Sequence, residues 1–216
     1  MHAMTNTVFL SLLLLGLAGP IMAETRLSPG RIAQWAPHSF KGQTDYQRVE
    51  TTSGTAVRAT CDAGTASGLF YRETIDLTET PIIEWRWRIV DPIAAGNPRE
   101  KAGDDYAARL YAVDEHTILR WRTRAINYVS TPQAAVGEEW PNAYADQARM
   151  VVVDNADGKA SDGKGWRVHR RNLREDFERL HGRSLTRIDA IALMTDCDDT
   201  GGRAEALYGE IRLLPE

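Results

Sequence analysis

Strict alternation of apolar and polar residues stands out in the middle of the chain. Residues 82–89 read IIEWRWRI, so Trp85 and Trp87 alternate with Arg86 and Arg88. Successive side chains of a strand point to opposite faces, and this period of two therefore predicts a β-strand. We expect the two tryptophans to face the core and the two arginines to face away from it.

Similar short alternations, separated by turn residues, predict further strands on both sides of this segment. They cover residues 56–59, 69–72, 106–113, 118–129, 150–153, 166–169, 186–194 and 205–214. In 186–194 both alternating rows are apolar, which is typical of a strand in the centre of a sheet. Residues 130–147 lack a clear period and predict a structured loop over one end of the sheet.

One segment has the features of a helix. Asn172 can cap its N-terminus, and Glu175 three residues later completes a pattern like a capping box. Phe177 and Leu180 then share one face at helical spacing, and Gly182 predicts the C-terminal end. We expect a single short helix here.

About ten short strands and one helix predict an all-β, mainly antiparallel fold in which two sheets pack as a jelly roll or a related sandwich. Parallel βαβ units are not expected, because the crossover helices that they need are missing. The 216-residue length suits one core, and we find no internal repeat or linker. The predicted domain is therefore residues 24–216.

The first 23 residues predict a signal peptide. Residues 8–17 read VFLSLLLLGL, an apolar run that suits a signal peptide and is marginal for a membrane span. Gly19 and Pro20 interrupt the run, and Ala23 provides the small residue before a cut. The segment before the run has no Lys or Arg, so an uncleaved anchor is the alternative. We expect a periplasmic or secreted protein with no membrane span after cleavage.

The cysteines are Cys61 and Cys197. Export allows a disulfide between them, because disulfides persist in oxidising compartments. Two unpaired thiols are the alternative, and the spacing does not decide between the two states. The residue after the predicted cleavage site is Glu24 and not Cys, which argues against a lipid anchor.

Arginines recur at alternate positions of a second predicted strand. Arg120, Arg122 and Arg124 share one face of residues 118–124, with Trp121 on the other. Neighbouring strands lie about 5 Å apart, so these guanidinium groups and those of 82–89 would share one sheet face. Guanidinium groups bind carboxylates and phosphates in bidentate fashion. The pattern predicts an anion-binding face, and a solvated face with many salt bridges is the alternative.

Seven residues follow from this hypothesis as candidates for ligand binding. They are Arg86, Arg88, Arg109, Arg120, Arg122, Tyr128 and Trp140. Trp140 lies in the aperiodic stretch 130–147, where an indole ring can stack on a sugar. The expected partner is an acidic glycan or another small anion.

Two acidic groups are the candidates for acid–base catalysis. Asp104 and Asp105 form one, and Asp196 and Asp198 form the other. Adjacent residues of an extended chain point in opposite directions, so Asp104 and Asp105 are not expected to serve the same reacting atom. A pair from different groups would need to lie about 5–10 Å apart for glycoside hydrolysis.

Residues 195–202, TDCDDTGG, partly match a calcium-binding loop. Asp196, Asp198 and Gly201 fit its first, third and sixth positions, but Leu207 occupies the twelfth, where an EF-hand needs Glu. This excludes an EF-hand. A looser calcium site formed by Asp196, Asp198 and Asp199 remains one interpretation, and an Asp/Gly turn is the other. No other cofactor is expected.

Several classes of function lack support. The sequence has no Gly-x-Ser-x-Gly motif, no cysteine with an obvious histidine partner and no zinc-ligand spacing among its five histidines. Its net charge of −4 gives no field that favours nucleic acid. With 43% apolar and 26% charged residues, the chain is expected to fold.

Motifs along nearly the whole predicted mature chain resemble those of the family of unknown function DUF3047. They are Tyr46, residues 56–59 (AVRA), 67–69 (SGL), 84–87 (EWRW), 103–109 (GDDYAAR), 126–128 (INY), Arg171, Asn172, residues 175–177 (EDF) and 194–201 (MTDCDDTG). The family more often has Ser and Asn where this chain has Cys197 and Asp199. The resemblance implies an exported bacterial protein with a galactose-binding-like jelly roll, and it implies no reaction.

Three functional hypotheses follow. The first is a binding module for an acidic glycan or other anion on the arginine-rich face. The second is a hydrolase or lyase that acts on an envelope polysaccharide, with Asp104 or Asp105 and Asp196 or Asp198 as acid and base. The third is a structural or partner-binding envelope protein that uses residues 130–147 as its contact.

Overall fold

The structure is a computed structural model that describes residues 24–216 except 63, 94 and 157–164. The side chain of Arg120 also lies outside the described part. The predicted signal peptide, residues 1–23, falls entirely outside the described residues.

The described residues form fifteen strands, two α-helices and two short 3-10 helices. The strands are β1 (Thr25–Leu27), β2 (Ala36–Lys41), β3 (Asp45–Thr51), β4 (Gly54–Cys61), β5 (Ala66–Tyr71), β6 (Ile75–Asp76), β7 (Ile82–Asp91), β8 (Ala108–Asp114), β9 (Arg124–Ser130), β10 (Glu139–Pro141), β11 (Ala148–Asp154), β12 (Arg167–Asn172), β13 (Arg187–Ile188), β14 (Ala190–Asp196) and β15 (Ala204–Leu214). The α-helices are α1 (Pro29–Ile32) and α2 (Leu173–His181), and the 3-10 helices are Lys101–Gly103 and Arg120–Arg122.

Two sheets pack against each other and enclose the main core. The six-stranded sheet has the order β12–β7–β15–β4–β3, with β1 also paired to β15. The seven-stranded sheet has the order β10–β11–β9–β8–β14–β5–β2, and β6 pairs with β13 separately. Only β9 and β11 pair in parallel among the described strands, and no helix connects them. The prediction of an all-β, mainly antiparallel jelly-roll sandwich with one short helix is confirmed.

The alternation in β7 directs its tryptophans into this core. Trp85 and Trp87 are buried, and the Trp85 ring centroid lies 5.3 Å from that of Tyr128 in the opposite sheet. Trp87 Nε1 donates a hydrogen bond to Asp154 Oδ2 at 2.9 Å, also across the sandwich. Ring packing and one buried hydrogen bond therefore join β7 to the seven-stranded sheet.

The predicted helix is α2. The Asn172 side chain accepts a hydrogen bond from the Glu175 backbone N–H at 3.3 Å, and Gly182 ends the helix in the left-handed conformation with φ 61°. Leu173 and Phe177 are buried in the core. The sequence analysis did not predict α1, a single turn that Ser28 caps. Neither α-helix of the described range is long and apolar enough to cross a membrane.

The predicted strand 118–129 is wrong in its first half. The backbone forms a 3-10 helix at Arg120–Arg122, and β9 begins only at Arg124. Trp121, on the apolar side of the predicted alternation, is 68% exposed, so that side does not face the core.

Local hydrogen bonds explain why this segment leaves the sheet. Thr123 Oγ1 accepts a hydrogen bond from the His116 backbone N–H, and His116 Nδ1 accepts one from the Leu119 backbone N–H, both at 3.0 Å. Side chains thus satisfy backbone donors that a sheet ladder would otherwise satisfy. The segment closes into a loop, which we call the 116–123 loop.

The predicted strand 186–194 divides into β13 and β14. β14 lies between β8 and β5, and all seven of its residues are buried. Its predicted central position is therefore confirmed. The sequence analysis did not predict β2 and β3, which are mostly exposed and lack a strong apolar row.

His169 of β12 lies beside both core tryptophans of β7. Its ring centroid is 5.2 Å from that of Trp85 and 4.8 Å from that of Trp87. Burial lowers the pKa of His169 from 6.5 to about 4, although the carboxylate of Asp154 opposes this shift. The folded state therefore contains a neutral imidazole well below the pH at which the unfolded chain takes up a proton.

We predict that this histidine makes the fold sensitive to acid. Between pH 6.5 and about 4 the unfolded chain binds a proton at His169 that the folded chain does not bind, so stability falls as the pH falls. One pKa unit corresponds to about 1.4 kcal/mol, so the loss from this residue is on the order of 3 kcal/mol. His169→Gln should flatten the dependence of the free energy of unfolding on pH in this range, measured by urea denaturation.

The matched control is His38→Gln, because His38 is exposed. This variant should keep the pH dependence of the wild type. An unchanged pH dependence in His169→Gln would contradict the prediction. Carboxyl groups elsewhere titrate in all three proteins and cancel from the comparison.

Candidate functional site

The predicted ligand-binding arginines do not share one face, and that prediction is wrong. Arg86 and Arg88 lie on the outer face of the six-stranded sheet, whereas Arg109 lies on β8 of the seven-stranded sheet. Outward side chains of the two sheets of a sandwich point away from each other. Arg122 is exposed in the 116–123 loop and belongs to neither sheet.

The outer face of the six-stranded sheet matches the alternative interpretation of a salt-bridged surface. Arg212 lies 2.9 Å from Glu84, and Arg170 lies 3.8 Å from the same carboxylate. The Arg86 guanidinium stacks 4.6 Å above the Trp166 ring and donates to the Ser53 carbonyl at 3.2 Å. Protein groups thus already engage the charges on this face.

Tyr128 and Trp140, the two aromatic candidates, are both buried. The Tyr128 hydroxyl donates to Asp176 Oδ2 at 2.7 Å. Trp140 Nε1 donates to the Pro98 carbonyl at 3.0 Å, and the Arg99 guanidinium covers its ring at 4.5 Å. Neither ring presents a free face, so their predicted role as ligand contacts is wrong.

A cavity of about 490 Å³ lies on the outer side of the seven-stranded sheet. Strands β2, β8, β9 and β14 contribute side chains to it, and so do residues 142–145 and the turn after β14. We call it the outer cavity. Asp104, Arg109, Asp196 and Asp198 all line it, which brings together residues from both predicted acidic groups.

The Arg109 guanidinium is buried at the base of the outer cavity. Its Nη2 donates to Asp196 Oδ2 at 2.5 Å and also to the backbone carbonyl of Asp104. Its Nη1 donates to the Tyr111 hydroxyl at 3.2 Å, and the group stacks 4.4 Å above the Tyr106 ring. Protein groups therefore hold Arg109, and it serves as an internal counter-ion.

Asp104 and Asp196 share this one guanidinium. Burial raises the pKa of both carboxyl groups, and Arg109 opposes the rise at each. The Asp104 Oδ2 atom accepts a hydrogen bond from Asn142 Nδ2 at 2.7 Å, whereas its buried Oδ1 has no partner among the described residues. Both carboxyl groups therefore keep a proton to a higher pH than an exposed aspartate does.

Asp105 has hydrogen-bond partners different from those of Asp104. Its carboxylate accepts hydrogen bonds from the backbone N–H groups of Asp199 and Thr200 and from the Thr200 hydroxyl. These bonds hold the turn that carries Asp198 and Asp199 at the rim of the cavity. Asp105 therefore has a structural role in shaping this wall.

The glycine that precedes the two aspartates is required by packing. A Cβ atom on Gly103 would lie 2.4 Å from the Asn97 carbonyl oxygen. The chain at 97–103 thus folds closely on itself, and this contact fixes the position of the backbone just before Asp104 and Asp105.

Asp105, Asp198 and Asp199 lie close together, and one carboxylate oxygen of each lies within 4.8 Å of the other two. Asp196, which the sequence placed in the predicted calcium set, faces Arg109 instead. Lys41 lies 3.7 Å from Asp198, so one cation of the protein already faces this group. The arrangement is that of an Asp-capped turn, and calcium binding stays a prediction.

The outer cavity is also lined by residues that were not among the predicted site residues, including Phe40, Asn127, Asn142 and Tyr144. Phe40 and Tyr144 are 60% and 57% exposed, and the Tyr144 hydroxyl donates to Asp199 Oδ1 at 2.5 Å. Asn142 orients Asp104, and the buried Asn127 keeps its Oδ1 without a partner in the described part of the chain. The sequence feature that could have indicated this cavity is Asn127, a polar residue on the outer face of a strand whose neighbouring residues are mostly apolar.

A disulfide anchors the same turn. Cys61 at the end of β4 and Cys197 after β14 are bonded, with their Cα atoms 6.0 Å apart. The bond spans 136 residues and joins the six-stranded sheet to the turn that carries Asp198 and Asp199. The sequence analysis left this pairing open, and the structure resolves it.

The fold and the site define a jelly-roll sandwich with a ligand-sized cavity on the outer side of one sheet. The chain belongs to the family of proteins of unknown function DUF3047, which matches residues 33–212. This confirms the family resemblance. A comparison with curated proteins finds no match.

Several solved structures have a similar arrangement of strands. A family 11 carbohydrate-binding module of the cellulosomal cellulase Lic26A-Cel5E of Clostridium thermocellum has a TM-score of 0.48 at 11% identity, covering 91% of this chain and 97% of that chain. A family 11 module from the same organism, in complex with a β-1,3-1,4-mixed-linked tetrasaccharide, has a TM-score of 0.46 at 12% identity, covering 89% and 95%. Winged bean acidic lectin, complexed with methyl-α-D-galactose, has a TM-score of 0.41 at 8% identity, covering 90% and 100%. These values are too low to carry an argument about the ligand of this chain.

We predict that loss of the disulfide destabilises the protein. A cross-link over a long loop restricts the unfolded chain, and removal of a native disulfide typically costs about 2–5 kcal/mol. The double variant Cys61→Ala/Cys197→Ala should therefore have a lower free energy of unfolding, measured by urea denaturation.

Reducing agent provides the control for this experiment. It should destabilise the wild type by a similar amount and leave the double variant unchanged. Equal stability of the oxidised and reduced wild type would contradict the prediction.

Proposed function

We propose that this protein is an exported glycan-binding module and that the outer cavity takes a neutral sugar. The observation that carries the proposal is the pair of unpartnered acceptors, Asp104 Oδ1 and Asn127 Oδ1, on residues that line the cavity. Buried acceptors without a partner are costly, and a ligand rich in hydroxyl donors would satisfy them. Sugars are such ligands.

The rim of the outer cavity supports a ring-shaped ligand. Phe40 and Tyr144 are exposed there, although large aromatic side chains usually lose most of their exposure on folding. A cavity of about 490 Å³ with aromatic walls and a few polar groups falls within the usual range for small-ligand sites. The two aromatic side chains offer apolar surface against which a sugar ring can pack.

The charge of the cavity argues against an acidic sugar at this position. Four aspartates line it, namely Asp104, Asp196, Asp198 and Asp199, against the two cations Lys41 and Arg109. Arg109 is already paired with Asp196, as described above. An additional anion would meet carboxylates without a free cation, so the acidic glycan of the sequence analysis does not fit this cavity.

Two observations support export. The apolar segment of residues 8–17 has the length of a signal peptide core. The Cys61–Cys197 disulfide is typical of proteins that mature in an oxidising compartment. We therefore propose a periplasmic or secreted location.

The test measures binding of neutral tetrasaccharides by isothermal titration calorimetry. Phe40→Ala and Tyr144→Ala should each weaken binding by about tenfold, since each removes an aromatic contact. Tyr144→Phe keeps the ring and should bind nearly as well as the wild type. Asp104→Asn should also weaken binding, because an amide changes the acceptor set of the cavity.

The control is Val168→Ala, which truncates an exposed apolar residue on the opposite sheet. It should not change binding. Failure of a broad panel of neutral tetrasaccharides to bind, or equal affinities of Tyr144→Ala and the wild type, would refute the proposal.

A carboxylate-dependent hydrolase or lyase is the second candidate function, and one observation favours it. Asp104 and Asp198 line the same cavity, and burial raises the pKa of each. A protonated carboxyl group near a second carboxylate is the arrangement that acid–base cleavage of glycans uses. The bonds of Asp105 and Asp196 described above leave Asp104 and Asp198 as the residues for this chemistry.

Enzyme activity is tested by release of reducing ends or unsaturated products from any polysaccharide that the wild type binds. If the protein is an enzyme, Asp104→Asn should abolish release while some binding remains. Asp45→Asn, at an exposed position on β3, is the control and should retain full activity. No product from any bound polysaccharide would exclude this second candidate.

A further inference from the structure

A second cavity, of about 430 Å³, lies where the 116–123 loop approaches the end of α2 and residues 146–149. Trp121, Arg124, Arg149 and His181 line it, together with Asp146. We call it the end cavity. Arg124 pairs in register with Asp114, which lies five residues along β8 from Arg109, so these two positions of β8 lie about 17 Å apart at 3.3–3.4 Å per residue.

The two arginines of the end cavity differ from most others in the molecule. Among the described residues, neither Arg124 nor Arg149 forms a salt bridge, whereas the nearby Arg183 lies 2.7 Å from Asp114. Arg124 Nη1 donates to the backbone carbonyls of Trp121 and Thr123 at 2.9 and 2.8 Å, which fixes its position. Its remaining donors and those of Arg149 are available to an anion.

Trp121 is the exposed tryptophan of the described chain. It is 68% exposed, and each of the other five tryptophans is at most 8% exposed. The Trp121 ring lies at the surface, next to the unpaired arginines and the end cavity. Its contacts do not show a role in stabilising the fold. Such exposed aromatic surface commonly marks a binding site.

His181 lies within the field of the arginines of this cavity. Burial lowers the pKa of His181, a hydrogen bond with the Ala125 carbonyl opposes the shift, and the charges of Arg124, Arg149 and Arg183 lower the pKa further. The histidine is therefore neutral near pH 7, and the cationic groups that act on it are the arginines. Asp146 is the carboxylate among the residues that line the cavity, and it is exposed.

We propose that the end cavity binds an acidic sugar residue. Arg124 and Arg149 would pair with its carboxylate, and Trp121 would pack against its ring. Guanidinium groups recognise carboxylates through charge-assisted hydrogen bonds, and Asp146 can accept a hydrogen bond from a sugar hydroxyl. This proposal does not rest on the outer cavity, because the two cavities share no lining residue.

The exposed residues of the 116–123 loop also resemble those of segments that bind anionic membranes. Ile118 is 84% exposed beside Trp121, and interfacial segments combine such residues with basic ones. The concave shape and the size of the end cavity favour a small ligand over a flat surface. The experiment below separates the two.

The test is calorimetric titration with tetragalacturonate and with its fully methyl-esterified form. The free acid should bind, and the neutral ester should bind at least about tenfold more weakly because it lacks the charge that the arginines recognise. Arg124→Gln, Arg149→Gln and Trp121→Ala should each weaken binding of the acid by about tenfold or more. Trp121 is exposed, so its variant keeps the test valid if an arginine variant fails to fold.

Two controls connect the effect to this cavity. Arg174→Gln removes an exposed arginine of α2 that forms no salt bridge among the described residues, and it should not change binding. Tyr144→Ala, in the outer cavity, should not change binding of the acid either. Failure of the outer cavity to bind neutral sugars would leave this result intact.

Three outcomes would overturn the proposal. The first is no binding of tetragalacturonate or of a tetrasaccharide that contains glucuronate. The second is binding that Tyr144→Ala abolishes and Arg149→Gln leaves intact, which would place the acid in the outer cavity. The third is binding to phosphatidylglycerol vesicles that depends on Ile118, without binding of either sugar.

Discussion

The ion pair of Arg109 with Asp196 is the interaction on which the outer cavity depends. A buried guanidinium is tolerated only when partners compensate for its lost hydration, and here Asp196 and the Asp104 carbonyl provide that compensation. These contacts join β8, β14 and the segment before β8 at one point. The cavity is thus a consequence of burying a charge: the groups that neutralise Arg109 also fix the positions of the remaining carboxylates.

Polar groups on the two sides of this sandwich have different uses. On the six-stranded sheet, arginines and glutamates such as Arg212 and Glu84 pair with one another. On the seven-stranded sheet, the acceptors at the base of the outer cavity exceed the donors, while the end cavity has unpaired cations. The same residue types therefore pair with one another on one sheet. Elsewhere they line two cavities of opposite charge, in which some polar groups have no partner.

The sequence predicted the features that local pattern determines. The alternation around Trp85 and Trp87 determines which face is buried, and Asn172 and Gly182 determine the ends of α2 through their own backbone contacts. Alternation does not determine which sheet a strand joins, and for that reason Arg86 and Arg109 were wrongly placed together. Trp121 was misplaced because the side chains of His116 and Thr123 accept hydrogen bonds from nearby backbone N–H groups. The spacing of apolar residues does not reveal such bonds.

The parallel pairing of β9 and β11 has an evolutionary consequence. Antiparallel neighbours need only a tight turn, but a parallel pair requires the chain to travel back along the sheet before it re-enters. Here that return path includes residues 142–147, which border the outer cavity on one side and the end cavity on the other. Drift in the length or composition of this one connection would remodel both cavities together, while the strands beneath keep their register.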